Sequence, residues 1–162
     1  MTGKTHIIGG IALGTLYSMK TGLLPEATAI TTGLAVIGAL FPDIDQPQSK
    51  LGRVIPFISI PIYKIFGHRG ILHAPLLYLI LGFLGLKFYN EYSFYIIAML
   101  IGVFSHLALD LLNPMGIPLF YPCKKKINIF SIYTGSAGET IIAILMIIIT
   151  TLYASESLNL IG

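Results

Sequence analysis

The segment that most constrains this chain is the apolar run 102–114, because it carries one histidine and one aspartate in an otherwise apolar predicted helix. His106 and Asp110 are four residues apart, so on a helix both side chains point from the same face, about one turn apart. An imidazole and a carboxylate among apolar helices are costly unless a partner stabilises them. Two interpretations follow: a divalent metal bound by both groups, or a His–Asp hydrogen bond that locks two helices together.

The composition around this pair is that of a membrane protein. Of the 162 residues, 55% are hydrophobic and only 10% are charged, against roughly 25% charged in an average soluble domain. Together with a mean hydropathy of +0.84, this predicts a single integral membrane domain over residues 1–162. Cys123 is the only cysteine and offers no thiolate cluster. Since no basic stripe with interleaved aromatic residues is present, we expect no nucleic-acid partner.

The chain has six apolar runs. Five of them predict membrane helices, which gives an all-α bundle of about five membrane helices. The sixth run, 54–66, contains Pro56 and Pro61, which favours a proline-broken interfacial segment. The first two runs are short for a membrane span of about 20 residues, and glycines in them would let helices approach closely. A lysine precedes the first run as in a signal peptide, but no cleavage site and soluble domain follow, so we expect the N-terminus to be retained. The five expected membrane helices cover approximately 5–19, 26–41, 71–89, 94–112 and 136–153.

Threading these helices alternately through a membrane brings most ionisable side chains to one surface, provided that 54–66 lies along that surface. All four histidines and four of the seven acidic residues then fall at one level. Glu26, Glu91 and Glu156 fall elsewhere. The eight candidate metal ligands at this level are His6, Asp43, Asp45, His68, His73, His106, Asp110 and Glu139.

The basic residues predict which surface this is. Most of them accompany the candidate ligands, so the positive-inside rule places that surface in the cytoplasm. We therefore expect a multi-pass protein of the cytoplasmic membrane whose metal site faces the cytoplasm. The residues on this side are Lys4, Lys50, Arg53, Lys64, Arg69, Lys124, Lys125 and Lys126, while Lys20 and Lys87 fall on the other.

Imidazole and carboxylate ligands together indicate zinc, manganese or iron. Eight candidates exceed the four ligands of a structural zinc site, so we expect two divalent ions, with zinc favoured. Two ions about 3.5–4 Å apart can activate a water and stabilise the leaving oxygen of a phosphoester. In such a site Asp45 could act as general base and Arg69 could bind a phosphate by a bidentate fork. Lys50 and Arg53 would attract an anionic headgroup.

Each of these groups also has a simpler interpretation. The paired aspartates after Pro42 could form a turn or bond to nearby cations. Glu139 opens the last helix, where a carboxylate is favoured as a cap, and His6 alone is typical of a polar interfacial residue. His68 and His73 are five apart and converge only if His68 precedes the helix, on the turn at 67–70. The convergence of all the groups is what favours a metal site.

Five motifs occur in a fixed order: Thr-Gly-Lys-Thr-His at 2–6, Phe-Pro-Asp-Ile-Asp at 41–45 with Ser-Lys-Leu-Gly-Arg at 49–53, His-Arg-Gly-Ile-Leu-His at 68–73, Ser-His-Leu-Ala-Leu-Asp at 105–110, and Thr-Gly-Ser at 134–136 with Glu139. On these motifs the chain resembles the YdjM family of bacterial and archaeal membrane-bound, metal-dependent hydrolases. More distantly, it is similar to the all-helical zinc-dependent phospholipase C and P1 nuclease fold, in which His-x3-Asp and a late glutamate bind zinc. That distant resemblance implies phosphoester hydrolysis.

The sequence therefore predicts a membrane-embedded, metal-dependent hydrolase that cleaves a lipid-borne ester, with a phosphoester favoured, at the cytoplasmic leaflet. A membrane lipid would be the substrate, attacked by a water whose pKa the metal lowers toward neutrality. The alternative is a non-catalytic membrane metal-binding or carrier protein, although a carrier needs ligands along a path and these lie at one level. A third hypothesis is a structural protein in which the cluster only locks helices together.

Overall fold

The computed structural model describes residues 1–123 and 125–159, with side chains described as far as residue 156, so Lys124 lies outside the described residues. Within this part the chain forms α-helices joined by 3-10 turns and loops, without β-strands, as the sequence predicts. The 3-10 turns cover Pro42–Asp45, Ile71–His73 and Asn90–Tyr92. The α-helices are α1 (Gly3–Lys20), α2 (Pro25–Leu40), α3 (Lys50–Val54), α4 (Pro56–Phe66), α5 (Pro75–Phe88), α6 (Ser93–Leu111) and α7 (Ala137–Asn159).

Three helical segments in the described part are long and apolar enough to cross a membrane: Pro25–Asp45, Asn90–Leu111 and Ala137–Glu156. They correspond to three of the five expected membrane helices. The other two are α1 and α5, and α5 has only 14 residues, fewer than the roughly 20 that span a bilayer. The structure thus supports a helical membrane protein with three candidate membrane-spanning helices.

The proline-containing segment is interrupted at Ile55, just before Pro56, and is continuous through Pro61. Pro56 begins α4, a position that suits proline because the first N–H groups of a helix have no intrahelical acceptor. Pro61 lies inside α4 without ending it. The expected interruption is therefore found between α3 and α4, at Ile55, and the rest of the segment is one short helix that exposes large apolar side chains.

Helices α1, α2 and α6 pack against one another, α7 packs on α1, and α5 packs on α6. Two glycines mark the crossing of α2 and α6. A Cβ atom on Gly102 would overlap the carbonyl oxygen of Ala35, and one on Gly38 would overlap that of Met99. The two backbones are therefore in direct contact, the arrangement by which small residues allow membrane helices to associate.

Substitution of Gly102 by alanine should force α2 and α6 apart, because the new methyl group meets backbone atoms that no side-chain rotation can move. Overpacking of this kind costs about 1–3 kcal/mol, so we expect a lower midpoint of thermal unfolding in detergent. Gly33→Ala is the matched control, since Gly33 is exposed on α2 with nothing near its added Cβ. Equal unfolding midpoints for both variants would contradict a close α2–α6 contact.

Candidate metal centre

One end of the bundle brings together seven of the eight predicted ligands. The start of α1, the turn after α2, the segment before α5 and the end of α6 all meet there. The ligands form two groups, and within each group one ligand atom per residue lies within 4.8 Å of the others. The groups adjoin, since Nε2 of His73 is 3.2 Å from Nε2 of His106. The first group is Asp43, Asp45, His68 and His73, and the second is His6, His106 and Asp110.

Two turns place the first group. The 3-10 turn Pro42–Asp45 continues directly from α2 and directs its aspartates into the centre. A left-handed turn between α4 and Ile71–His73 carries His68, with φ of 71° at Gly67 and 57° at Arg69. A non-glycine residue in that region is strained, and here the N–H of Arg69 donates to Asp45 Oδ2 at 3.0 Å. His68 thus precedes α5 on this turn, which is the condition under which His68 and His73 can converge.

Hydrogen bonds determine which imidazole nitrogens face the centre. Nδ1 of His106 is 2.7 Å from the carbonyl oxygen of Ala39, which can only accept, so this nitrogen carries the hydrogen. Nδ1 of His73 likewise donates to Asp45 Oδ2 at 2.9 Å. In their neutral forms, both rings therefore direct an Nε2 lone pair into the same space. These two nitrogens are 3.2 Å apart, so their lone pairs repel each other unless a cation or a proton lies between them.

Two carboxylates complete this set of acceptors. Asp43 Oδ1 lies 3.9 Å from His73 Nε2 and 3.8 Å from His106 Nε2. Asp110 Oδ2 lies 3.6 Å from both nitrogens. Zinc bonds of about 2.0–2.1 Å put neighbouring ligands of a tetrahedral site roughly 3.3 Å apart. The five separations given for these atoms are 3.2–3.9 Å, close to that value, so the four atoms could hold a divalent metal ion.

The electrostatics of the centre point the same way. Carboxylate oxygens of Asp43 and Asp110 lie within 3.9 Å of Nε2 of His73, so the centre favours a positive charge beside that nitrogen. A bound metal ion would supply such a charge.

Asp45 is fully buried and uses both carboxylate oxygens on neighbouring donors. Oδ1 accepts from Nδ1 of His68 at 2.8 Å, and Oδ2 accepts from Nδ1 of His73. A carboxylate in this position orients a metal-binding imidazole and makes its other nitrogen more basic. Although Asp45 is within the first ligand group, its contacts favour a positioning role over the predicted roles of ligand and general base.

Asp110 is the most heavily contacted carboxylate of the centre. Its Oδ1 accepts from the Met1 amine at 2.5 Å and lies 3.5 Å from His6 Nε2. Its Oδ2 is 2.8 Å from Nη2 of Arg69. The His6 ring stacks on His106 with centroids 3.7 Å apart, and its Nδ1 is buried without a hydrogen-bond partner among the described residues. His6 is thus part of the centre rather than an isolated interfacial residue.

Arg69, predicted to bind a phosphate, is only 4% exposed. Besides its contact with Asp110, its Nη1 donates to Asn113 Oδ1 at 3.3 Å and to the carbonyl oxygen of Gly116 at 3.1 Å. These contacts favour a role in holding Asp110 in place. Asn113 itself was not among the predicted site residues. Its signal in the sequence is a polar residue three positions after Asp110, just beyond the expected helix 94–112.

Glu139, the eighth predicted ligand, lies outside both groups. Its Oε1 accepts from the N–H of Thr2 and the hydroxyl of Thr5, each at 2.5 Å, and its Oε2 accepts from the N–H of Gly135 at 2.6 Å. Ser136 Oγ in turn accepts from the N–H of Glu139. The carboxylate in the first turn of α7 therefore fastens the start of the chain to the residue before Ser136, while Ser136 caps the helix. This favours a structural role of Glu139 over that of a ligand.

A polar vestibule of about 340 Å³ adjoins the centre. The His68 side chain is 24% exposed there, whereas those of His6, His73 and His106 are buried. Arg53, predicted to attract a headgroup, is exposed at the vestibule and donates from Nε to the carbonyl oxygen of Gln48 at 2.9 Å. Lys50 is exposed beside Gly3, which also lines the vestibule. Both cations therefore lie at the rim.

The fold and the site together define a helical membrane protein with a buried histidine–aspartate centre that could hold a metal. The family model described as "YdjM inner membrane protein" matches residues 1–161, and the chain belongs to that family. The resemblance drawn from the five motifs is thereby confirmed.

Two curated relatives illustrate the relationship. "Uncharacterized protein YvsG" of Bacillus subtilis is 36% identical over 143 residues, covering 88% of this chain and 87% of that protein. "Inner membrane protein YdjM" of Escherichia coli is 37% identical over 137 residues, covering 80% of this chain and 69% of that protein. No solved structure matches the chain, so the distant resemblance to phospholipase C and P1 nuclease stays a prediction.

Proposed function

We propose that this protein is a metal-dependent hydrolase of the cytoplasmic membrane that cleaves a lipid-borne ester, with a phosphoester favoured. One observation carries the proposal: the Nε2 atoms of His73 and His106 converge with carboxylate oxygens of Asp43 and Asp110 beside an open polar vestibule. A divalent ion bound by these four atoms would supply a Lewis acid and an activated water for ester hydrolysis.

The protein's own residues divide the remaining tasks. Asp45 orients the rings of His68 and His73, while Arg69 holds Asp110 and balances its charge. His68 donates from Nδ1 to Asp45, which leaves its Nε2 available to bind an ion or to accept a proton at the vestibule. His6 could contribute to a second ion, because its Nδ1 is buried without a hydrogen-bond partner among the described residues and its Nε2 lies 3.5 Å from Asp110 Oδ1.

We also propose five membrane helices with the centre on the cytoplasmic side. The starts of α1 and α5 and the ends of α2 and α6 meet at the centre, as alternate threading requires. The 3-10 turns Ile71–His73 and Asn90–Tyr92 extend α5 at both ends toward the length of a span. Exposed cations at this end agree with the positive-inside rule; they are Lys4, Lys50, Arg53, Lys64, Lys125 and Lys126.

The alternative, a non-catalytic metal carrier, is less well supported. A carrier needs ligands along a path through the membrane, and the candidate ligands lie at one end. Farther along the bundle, α2 and α6 are in backbone contact at Gly38 and Gly102. The buried hydroxyls of Ser18 and Thr31 bond to each other at 2.5 Å and carry no charge. These contacts favour a site that works at one membrane surface.

Removal of metal should abolish hydrolysis, because the proposed activated water depends on it. We expect protein purified in detergent to hydrolyse bis(p-nitrophenyl) phosphate or phosphatidylglycerol, to lose that activity in EDTA, and to regain it with zinc or manganese. Metal content is measured in parallel by mass spectrometry. Bound metal without hydrolysis of either substrate would favour the carrier, and protein that binds no metal would favour a structural lock.

A further inference from the structure

We propose that a cleft beside the metal centre is the lateral entrance for the anionic headgroup of a membrane phospholipid, and that Lys126 binds the headgroup phosphate. The inference rests on the proposed function, since it names the class of lipid that reaches the same centre. The cleft has a volume of about 310 Å³ and lies between the end of α4 and the loop that joins α6 to α7. Its lining includes Ile65, Phe66, His68, Pro118, Tyr121 and Lys126.

The cleft is continuous with the metal centre. His68 and Arg69 line both the cleft and the polar vestibule, so the two recesses meet at the residues that contact Asp45 and Asp110. A headgroup held in the cleft would therefore lie beside His68. The vestibule, which His68 and Arg69 also line, then offers a separate route for water and for the released headgroup.

Lys126 gives the cleft an unneutralised positive charge. Its Nζ is 3.4 Å from the carbonyl oxygen of His68, which keeps the ammonium group at the edge of the centre. The ion pairs found among the described residues involve Arg69, the histidines and the Met1 amine, and none of them includes Lys126. An exposed lysine without a carboxylate partner is free to bind a phosphate oxygen.

The apolar surface around this charge favours a lipid over a soluble phosphoester. Ile65 is 72% exposed and Phe66 is 43% exposed on the α4 side of the cleft, and Phe120 is 72% exposed next to Tyr121 on the loop side. Exposed apolar side chains with a neighbouring lysine are typical of segments that lie in the membrane interface. The cleft thus combines a phosphate-binding cation with a surface for the apolar part of the same molecule.

A tryptophan reporter can test this directly, because the chain contains no tryptophan. The Phe66→Trp variant, with its single indole in the cleft, is reconstituted in phosphatidylcholine vesicles. A minority of the lipid in these vesicles carries brominated chains, which quench tryptophan fluorescence on contact. We expect stronger quenching when the brominated lipid is phosphatidylglycerol than when it is phosphatidylcholine. Equal quenching by the two lipids would overturn the proposal.

Lys125 provides the matched control for Lys126, since both are exposed and adjacent in the same loop. In the Phe66→Trp background, Lys126→Met should remove the preference for phosphatidylglycerol, and Lys125→Met should retain it. One lysine near an anionic lipid surface changes binding by about fivefold. Equal losses in the two variants would indicate general attraction to the membrane and would contradict a specific role of Lys126. Lys126-dependent binding of inorganic phosphate without a lipid preference would also overturn the lipid assignment.

The quenching measurement needs neither metal nor turnover, so its failure is distinguishable from failure of the proposed hydrolase. A protein that prefers phosphatidylglycerol in the cleft but hydrolyses no ester would refute the activity and leave the cleft intact. In an active preparation, Lys126→Met should raise the KM for phosphatidylglycerol about fivefold with little change in kcat. Lys125→Met should leave that KM unchanged.

Discussion

Replacement of His106 by alanine should remove bound metal and hydrolytic activity together. The ring of His106 is held by the carbonyl oxygen of Ala39 and presents Nε2 to Asp43, His73 and Asp110. Loss of an outer-shell partner alone typically costs 10–100-fold in metal affinity, so we expect loss of this ligand to cost at least about 100-fold. Metal content after dialysis, measured by mass spectrometry, and the rate of phosphodiester hydrolysis check the result.

Ser105→Ala is the matched control for this variant. Ser105 precedes His106 on α6, is also buried, and donates only to the carbonyl oxygen of Gly102 in its own helix. The control should retain metal and activity, because Ser105 belongs to neither ligand group. If His106→Ala retained full metal occupancy, the proposed centre would be refuted and the His–Asp pair would be a helix lock.

Substitution of Asp45 by asparagine should weaken metal binding without removing a ligand atom from the central set of four. The carboxylate accepts hydrogen bonds from Nδ1 of both His68 and His73, and also from the N–H of Arg69. An amide has one acceptor oxygen and an NH₂ donor, so at least one ring loses its acceptor and its preferred tautomer. We expect metal affinity to fall by about 10–100-fold, measured by competition with a chelator of known affinity.

The tautomers themselves give a second measurement, because the chain has only four histidines. In protein with ¹⁵N-labelled histidine, NMR chemical shifts of the ring nitrogens report which nitrogen is protonated. The Asp45→Asn variant should show altered protonation of Nδ1 in His68 or His73. Asp43→Asn is the comparison variant, since Asp43 lies on the Nε2 side of the rings. It should lower metal affinity while both Nδ1 atoms stay protonated. Unchanged ¹⁵N chemical shifts together with an unchanged metal affinity in Asp45→Asn would exclude a positioning role of Asp45.

Three features could be predicted from the sequence: the helical class, the membrane composition and seven members of the centre. Each of them depends on composition, on hydropathy or on the periodicity of a helix. The pairing of His106 with Asp110 follows from helix periodicity alone. Their convergence with His6, His68 and His73 follows from counting apolar runs and threading them alternately. The five motifs were enough to indicate the family, which the match over residues 1–161 confirms.

The roles within the centre could not be predicted in the same way, because they depend on which neighbours compete for each polar atom. Glu139 is bonded to Thr2, Thr5 and Gly135 and lies outside both ligand groups. Arg69 is bonded to Asp110 and Asn113. Apart from Gly135, which is four residues before Glu139, these partners come from distant parts of the chain, and no spacing in the sequence relates them.

The amino-acid sequence by itself determined that this chain forms apolar helices with its four histidines and three aspartates near one end, since hydropathy and helix periodicity act over a few residues. Only the tertiary structure decided which nitrogen of each imidazole faces the centre. That choice depends on the close crossing of α2 and α6 at Gly38 and Gly102, and on the positions of the Ala39 carbonyl and the Asp45 carboxylate. Hydrogen bonding across elements far apart in the chain thereby turns a group of polar residues into a set of converging metal ligands.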